Sequence, residues 1–427
     1  ESLARVAKKV GAKVAVISSA LEGTYSGSSV ANTVGSGSFT IPMMKKLGYR
    51  PEFAGAVEAS ASTGGQIMPP IMGAAAFLMA EFIGIPYIDI AKAAAIPACL
   101  YFVGVLIEVH LEAKRCGLRG LSPDEIPRFF NVVKRRLHLF IPMVVLFYIL
   151  IEGYTPSFAA LMGLLVAIIA GLPLKETRMG FADILSALET GARGALGVAI
   201  ACATAGIMVG VVTLTGIGLK MAGGLVDLAG GNLLLSLVFT MFASIILGMG
   251  VPTTATYVIC STIAAPALVL QGVPVLAAHM FVFYFGIVAD ITPPVALAAY
   301  AGASIARANP FKTALESTKL AIGAVIVPYV FCYNPSLLLI NTTAAQLTQN
   351  LITASCGMFG VGAAMIGYCL TNMHPAERLL FLGGGLLLID PATSSDLTGL
   401  GLLALGLALQ WRNKKRENVT SDAMKGV

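Results

Sequence analysis

Residues 60–76 read SASTGGQIMPPIMGAAA, and they place a polar break with two glycines and two prolines inside an otherwise apolar stretch. Proline removes a backbone donor and clashes with the preceding turn, and the residue before it avoids the helical region. We therefore expect a helix that stops near Gly64, crosses as extended chain and restarts at Pro69 and Pro70, because proline suits the first turn of a helix. Inside a bilayer, such unwound backbone must be buried in protein or line a cavity.

A second stretch has the same design, because residues 287–300 read IVADITPPVALAAY, again a polar break followed by two prolines. Its prolines follow the first pair at an offset of 224 residues (293 − 69). The features that align at this offset are Pro69 with Pro293, Gln66 with Asp290, residues 28–32 with residues 252–256, and Pro42 with Pro266. A soluble two-proline turn explains one copy but not the pair. The pattern predicts two structural repeats, each a polar-tipped re-entrant hairpin followed by a broken transmembrane helix.

The composition predicts an all-α polytopic membrane protein. The chain has 427 residues, of which 57% are hydrophobic and only 12% are charged, whereas a soluble domain carries about 25% charged residues. This length allows roughly ten spans of about 20 residues. The net charge of +6 lies in loops, which favours membrane orientation over nucleic-acid binding. None of the seven cysteines forms a CxxC pair, so we expect small buried side chains and neither a disulfide framework nor a metal site.

The repeats and the charged loops divide the chain into four parts. The first repeat covers residues 1–111, with the hairpin at 10–46, the broken helix at 52–83 and a span at 93–111. Residues 112–231 hold a basic loop, scaffold spans, an amphipathic arm at 182–193 and a further span at 194–215. The second repeat covers residues 232–303, with the hairpin at 232–270 and the broken helix at 274–303. Residues 304–427 supply C-terminal spans and a basic cytoplasmic tail.

Charge predicts the orientation of these parts. The loop at residues 113–136 carries seven Lys and Arg residues against Asp124 and Glu125, so the positive-inside rule places it in the cytoplasm. Counting spans from this loop puts Lys45 inside and Lys220 outside. The first hairpin then enters from the cytoplasm and the second from outside, which is an inverted topology. The sequence opens almost directly into the first hairpin, so we expect an upstream portion to be missing.

Two stretches resemble the large membrane subunit of TRAP transporters. They are residues 23–81, with GTYSGSSVANTVGSGSFTIP and EASASTGGQIMPPIMGAAAF, and residues 247–303, with LGMGVPTTATYVICSTIAAPAL and VADITPPVALAAYAGA. The resemblance runs from the start to about Asn334. It is most similar to the fused permease of the TAXI subfamily, and the extra spans after Asn334 fit that subfamily.

The resemblance implies an elevator-type, ion-driven importer rather than an enzyme. It further implies multi-pass insertion in a bacterial or archaeal inner membrane, small organic acid substrates such as dicarboxylates, and delivery by an extracytoplasmic substrate-binding protein of the TAXI type. The small-subunit region and the first scaffold helices of the fused pattern are absent here. We therefore expect a small membrane subunit or a missing N-terminal segment to complete the transporter.

The two breaks predict an ion site, because sodium prefers oxygen ligands and unwound carbonyls, hydroxyls and amides supply them. The predicted sodium ligands are Ser29, Asn32, Gly64 and Gly65 in the first repeat, and Gly248, Thr253, Thr256 and Asp290 in the second. Asp290 is the one acid, and an intramembrane carboxylate is by default a functional candidate. Capping of half-helices is the alternative role for these hydroxyls and amides. H⁺ is the alternative coupling ion.

Substrate contact is predicted for five residues at the same breaks: Ser28, Gln66, Pro69, Thr254 and Thr292. The prolines are also interpreted as architectural. Outside this set, we expect Glu58 to be solvated or paired near the cytoplasmic end of its helix, and His279 to be structural rather than part of a proton relay.

Three other functions are alternatives to binding-protein-dependent import. An elevator-type sodium–dicarboxylate symporter would have the same architecture and need no binding protein. A channel would need a continuous polar pore, whereas the polar residues cluster at two breaks. An intramembrane enzyme would need a His/Ser, paired-Asp or HExxH constellation, and the sequence contains none.

Overall fold

The computed structural model describes residues 11–118, 137–173, 177–389 and 393–425, and helices dominate it. In chain order the helices are α1 Gly11–Ser26, α2 Ser29–Gly35, α3 Gly37–Lys46, α4 Pro51–Gly65, α5 Ala74–Ile83, α6 Tyr87–Arg115, α7 Ile141–Ile151, α8 Pro156–Gly171, α9 Phe181–Thr215, α10 Ile217–Leu228, α11 Leu233–Gly248, α12 Thr253–Ile263, α13 Ala265–Leu270, α14 Val275–Val288, α15 Leu297–Ala306, α16 Pro310–Leu320, α17 Ile322–Tyr333, α18 Ala344–Ile366, α19 Pro375–Ile389 and α20 Thr393–Lys425. Short 3₁₀ helices lie at Leu137–Phe140, Ala289–Ile291 and Pro335–Leu338. The described residues contain no β-strand, only an isolated bridge between Tyr368 and Asn372.

The prediction of an all-α polytopic membrane protein is confirmed. In the described ranges, five helical segments are long and apolar enough to cross a membrane: Tyr87–Arg115, Phe181–Thr215, Thr253–Leu270, Pro310–Tyr333 and Ala344–Ile366. Shorter apolar helices of 10–17 residues accompany them, including the second half of the first broken helix and both halves of the second. The core lies around α4 and α14, and every α4 residue from 53 to 65 is buried.

The tip of the first hairpin is shorter than the sequence predicted. The polar run at residues 22–37 was predicted as the tip between two arms, yet α1 continues to Ser26 and only Gly27, Ser28 and Ser36 of this run lie outside helices. Hydroxyl groups explain the difference, because they can bond to the preceding helical turn, as Thr24 Oγ1 does to the carbonyl of Leu21 at 2.7 Å. The real tip is a two-residue turn in which Gly27 adopts a positive φ of 64°.

The first break begins as predicted but ends differently. Helix α4 stops at Gly65, next to the predicted Gly64, whereas the restart at Pro69 and Pro70 is wrong because α5 begins only at Ala74. The chain between them forms turns and not an extended crossing. The cause is a closed loop, in which the N–H of Gly73 donates to the carbonyl of Gln66 at 2.9 Å. The prolines occupy the middle of this loop, where no N–H donor is needed.

The second break has the same backbone layout. Helix α14 ends at Val288, a 3₁₀ turn follows, and α15 begins at Leu297. Met72 and Ala296, 224 residues apart, both adopt a positive φ, of 61° and 35°, and the peptide bonds Pro69-Pro70 and Pro293-Pro294 are both cis. Helices α2 and α12 begin 224 residues apart, as do α4 and α14.

The middle of the chain corrects one further expectation. The arm at 182–193 and the span at 194–215 are one helix, α9, and the segment holding Lys220 is helical as α10. An i,i+4 ion pair between Arg193 and Glu189, at 2.8 Å, stabilises the turn just before the expected boundary, and the helix continues past it. The basic loop expected at 113–136 lies mostly outside the described residues.

Candidate functional site

The tip of the first hairpin meets the second break at a buried hydrogen bond. Ser29, the first residue of α2, donates from Oγ to Oδ2 of Asp290 at 2.6 Å. The two residues are 1% and 7% exposed, so this contact is shielded from solvent. A hydroxyl donor to an ionised carboxylate forms a charge-assisted bond, which is stronger than a neutral one. The predicted ligand of one repeat therefore binds the predicted acid of the other.

Gln66 brings the first break to the same place. Its side chain is fully buried and lies close enough to the carboxylate of Asp290 to interact with it. Neither its oxygen nor its nitrogen, however, is in hydrogen-bond geometry with any described residue. The side chains of Gln66 and Asp290 therefore approach each other without forming a hydrogen bond. A buried amide with both polar atoms unsatisfied is unusual in proteins, and it is suited to receive a polar ligand.

Asn32 and the α4 glycines form a neighbouring group. Asn32 is fully buried, and its Nδ2 donates to the carbonyl of Ser19 at 3.0 Å, while its Oδ1 has no partner among the described residues. Gly65 packs directly on the backbone of Gly23, and a Cβ on Gly64 would enter the ring of Tyr101. Packing therefore requires glycine at both positions, and it holds the end of α4 close to Asn32.

The second-repeat candidates lie around the end of α11. A Cβ on Gly248 would lie 2.8 Å from the carbonyl oxygen of Gly286 and 3.0 Å from Cγ2 of Thr256. Thr256 is 1% exposed, and its hydroxyl donates to the carbonyl of Val251 at 3.2 Å. Gly248 and Thr256 are thus neighbours, with the backbone of α14 against them.

The side chains of the remaining predicted residues are not hydrogen-bonded to the side chains of these groups in the described part of the chain. Ser28 caps α2 by accepting from the N–H of Ala31 at 3.3 Å, and Thr292 donates to the carbonyl of Val288 at 2.8 Å. Thr253 and Thr254 are half-buried in the first turn of α12, and Pro69 is half-buried in its loop. Capping, the alternative role weighed for such hydroxyls, describes Ser28 in this conformation.

The polar groups at this site are of the type that a hard cation prefers as ligands. They are a carboxylate, a hydroxyl and two amides, and the oxygens of Asn32 and Gln66 have no hydrogen-bond partner among the described residues. In the same residues, no group of three or more His, Cys, Asp or Glu side chains is positioned to hold a metal ion. An oxygen set with unsatisfied members matches the ligand type of Na⁺ rather than that of a transition metal.

Comparison with known proteins identifies the family. The family described as "Tripartite ATP-independent periplasmic transporter, DctM component" matches residues 8–345. The chain belongs to the DctM family. The family is one of transporter permeases, so the prediction that the chain is not an enzyme is confirmed.

A curated relative of this DctM-family chain is the "Sialic acid TRAP transporter large permease protein SiaM" of Vibrio cholerae serotype O1. The two are 26% identical over 175 residues, a match that covers 40% of each chain. The chain thus matches about two fifths of that relative's length. The predicted resemblance to the TRAP large permease is confirmed at the level of the family.

Sequence reasoning missed a second buried carboxylate in this DctM-family chain. Glu58 was expected in solvent or in a pair, but it is fully buried, so the solvated alternative is wrong. Its carboxylate accepts hydrogen bonds from three hydroxyls, those of Ser19, Ser36 and Thr40. The signal in the sequence was an acid inside an apolar helix, with two hydroxyl residues spaced i,i+4 in the hairpin before it.

His279 has one clear partner. The hydroxyl of Tyr257 lies 2.7 Å from Nδ1 of His279, between α12 and α14. This contact links the returning arm of the second hairpin to the helix before the second break.

Proposed function

We propose that this chain is the transport subunit of an ion-coupled secondary importer of small organic acids. The observation that carries the proposal is the buried Ser29–Asp290 hydrogen bond, with Gln66 beside it. It joins a hairpin tip to a helix break, and broken helices are the elements from which secondary transporters build ion and substrate sites. Membership of the DctM family supports the same assignment.

We propose that the two halves are inverted repeats that move as an elevator. The equal 224-residue spacing of the starts of α2 and α12, and of α4 and α14, supports the repeat. The turns that follow each hairpin support it too, because Gly48 and Gly272 both adopt a positive φ, of 94° and 84°. The inversion rests on the charges, with Lys45 inside and Lys220 outside. Helices α1 and α15 pack on α4, and α11 packs on α14, so helices of both repeats are in contact, which supports a common moving body.

Na⁺ is the proposed coupling ion, bound by oxygens of Ser29, Asn32, Thr253, Thr256 and Asp290 with carbonyls of the neighbouring glycines. A buried carboxylate is costly unless a cation or donors compensate its charge. Ser29 supplies one donor, and a bound cation would supply the rest of the compensation. H⁺ bound at Asp290 is the alternative, since protonation removes the same charge.

The proposed substrate is a small organic acid held without arginine. The sequence has no Arg between Arg50 and Arg115 or between Arg193 and Arg307, and these intervals contain both breaks. Hydroxyls and amides at the breaks, those of Ser28, Gln66, Thr254 and Thr292, are the proposed contacts for its carboxylate. A binding site that lacks Arg has only hydroxyls, amides, backbone N–H groups and bound cations to balance the negative charge.

The proposed partners are an extracytoplasmic binding protein of the TAXI type and a small membrane subunit or N-terminal segment, in the inner membrane of a bacterium or archaeon. The word "tripartite" in the description of the family supports more than one partner. Reconstitution of the complete transporter in proteoliposomes tests the proposal. We expect uptake of a labelled dicarboxylate only with the binding protein present and an inward Na⁺ gradient.

Two results would redirect the assignment. Uptake of free substrate without a binding protein would favour the sodium–dicarboxylate symporter, and uptake driven by a pH gradient alone would replace Na⁺ by H⁺. A flux that saturates with neither ion gradient nor binding protein would contradict secondary active import.

A further inference from the structure

A cage of hydroxyl groups surrounds the carboxylate of Glu58, away from the Ser29–Asp290 site. Glu58 lies mid-way along α4 and is fully buried. Ser36 donates to its Oε1 at 2.5 Å, Ser19 donates to the same oxygen, and Thr40 donates to Oε2. Ser19 belongs to α1, whereas Ser36 and Thr40 belong to the returning arm. Hydrogen bonds to this one carboxylate therefore hold both arms of the first hairpin against the first broken helix.

The three groups that donate to this carboxylate are neutral hydroxyls, so none of these partners balances its charge. Among the described residues, Glu22 of α1 acts on it electrostatically, and the charge of Glu22 is also negative. Charged groups on the other helices packed against α4 have other partners or face solvent. Lys45 donates to the carbonyl of Ala306, Glu112 and Glu316 contact Arg50, Glu108 faces α18 and Asp290 accepts from Ser29. Lys319 pairs with Glu316, and Lys46 and Lys312 are exposed. An isolated buried charge of this kind is costly, so the site favours uptake of a positive ligand.

The small volume inside the cage determines which positive ligand can bind to Glu58. The hydroxyls of Ser19 and Ser36 are 3.0 Å apart, and all three hydroxyls touch the carboxylate. A Cβ on Gly37 would lie only 3.0 Å from Cγ of Glu58, so the helix packs tightly on this side as well. A metal ion would need these oxygens to separate and surround it. A proton needs no additional volume.

Two of the hydroxyls have a second acceptor, which allows the cage to exist in two states. Ser36 Oγ lies 2.9 Å from the carbonyl of Asn32, and Thr40 Oγ1 lies 3.0 Å from the carbonyl of Ser36. When Glu58 is ionised, both hydroxyls can donate to it. When Glu58 carries a proton, each can turn to the carbonyl four residues before it, as Ser and Thr commonly do.

Glu22 provides a path for protons between the solvent and the cage. It is partly exposed, and its Oε1 lies beside Gly35, the residue before Ser36. A proton taken up by Glu22 can therefore reach Glu58 through the Ser36 hydroxyl. The step forms one O–H bond at Glu58 and breaks one at Glu22, with no other reactant.

We propose that Glu58, with Ser19, Ser36 and Thr40, is a proton-binding site that releases the first hairpin from α4 when it is occupied. The site is distinct from the coupling site proposed at Asp290. It rests on the cage geometry alone, so its test needs no transport measurement, and its failure would leave the proposed import function standing.

Infrared difference spectroscopy of the full chain in lipid nanodiscs tests the site. A change of buffer pH alters the carbonyl-stretch band of each protonated carboxyl group. We expect one component of this band to disappear in Glu58→Gln and to remain in Asp290→Asn, the matched change at a buried acid outside the cage. Persistence of every component in Glu58→Gln would overturn the proposal.

Thr40→Val provides the second variant, because it keeps the shape of the side chain and should fold even if Glu58→Gln does not. Loss of one donor to the ionised form should move the midpoint of the Glu58 component to higher pH. The control is Thr313→Val, which removes a buried hydroxyl that donates to the carbonyl of Asn309. Equal midpoints in Thr40→Val and Thr313→Val would also overturn the proposal.

Discussion

The two helix breaks share a backbone and differ in chemistry. Both end a buried helix, pass through two prolines and restart after a residue with positive φ. The first break carries the neutral Gln66, whereas the second carries Asp290 at the aligned position. The difference teaches that the unwound geometry depends on proline and local turns, while the charge is a separate property that only one break supplies.

The packing behind the two breaks differs as well. Helix α4 ends in Gly64 and Gly65, and the aligned residues at the end of α14 are Val288 and Ala289. Gly65 lies against backbone, that of Gly23, so no side chain fits there. The first hairpin therefore approaches its broken helix more closely at this point than an alanine would permit.

The largest expected effect concerns the orientation of the two hairpins. In a cysteine-free background we expect Lys46→Cys and Lys220→Cys, both at exposed positions, to react with a membrane-impermeant maleimide from opposite sides of oriented vesicles. The reason is the charge distribution, which puts Lys46 inside. The unsubstituted cysteine-free chain measures background labelling. Reaction of both positions from one side would break the comparison, because the halves would then not be inverted.

The next effect concerns the charge at the second break. Asp290→Asn should lower the initial uptake rate roughly tenfold or more, because hydrogen bonds to a charged group contribute about 1.5–3 kcal/mol. It should also weaken the dependence on Na⁺ more than Gln66→Glu, the matched change at the first break. Uptake against Na⁺ concentration at two pH values measures both. Unchanged rate, ion dependence and pH dependence in Asp290→Asn would make Asp290 a structural residue.

The smallest effect concerns packing and compares glycines. Gly65→Ala should destabilise the protein by about 1–3 kcal/mol, because the added methyl group meets backbone that cannot rotate away. Gly286→Ala should cost less, since its Cβ would meet only the Thr256 methyl group, at 2.8 Å. Gly383, a helical residue with nothing within 4 Å of an added Cβ, provides the control. Thermal unfolding in detergent ranks the three variants, and equal midpoints would show that the close approach at Gly65 is not required.

Local rules explain why part of the fold was predictable. Proline and glycine mark the ends of helices through their own backbones, so the stop of α4 next to Gly64 and the two interrupted helices followed from residues in one window. The restart at Ala74 did not follow, because it depends on the hydrogen bond that closes residues 66–73 into a loop. The continuity of α9 did not follow either, because the change from polar to apolar residues at 193–194 does not interrupt the helical backbone.

The candidate site was predictable as a list of residues but not as an arrangement. Ser29 and Asp290 were both singled out, as ligands in different repeats, and their direct contact spans 261 positions of sequence. The cage around Glu58 was missed for the same reason, since Ser19 reaches it from 39 residues away. Contacts of such separation depend on the packing of whole helices, which single-sequence patterns do not encode.

The length of α9 has a consequence for the position of the membrane surface. A helix of 35 residues is about 52 Å long at 1.5 Å per residue, whereas the hydrocarbon layer is about 30 Å thick. Roughly 15 residues therefore project beyond the lipid tails or require a strong tilt. Asp183, Glu189 and Arg193 all fall in the N-terminal part of α9. The amphipathic arm and the apolar span that the sequence separated belong to one continuous helix, and the surface of the lipid layer crosses this helix between them.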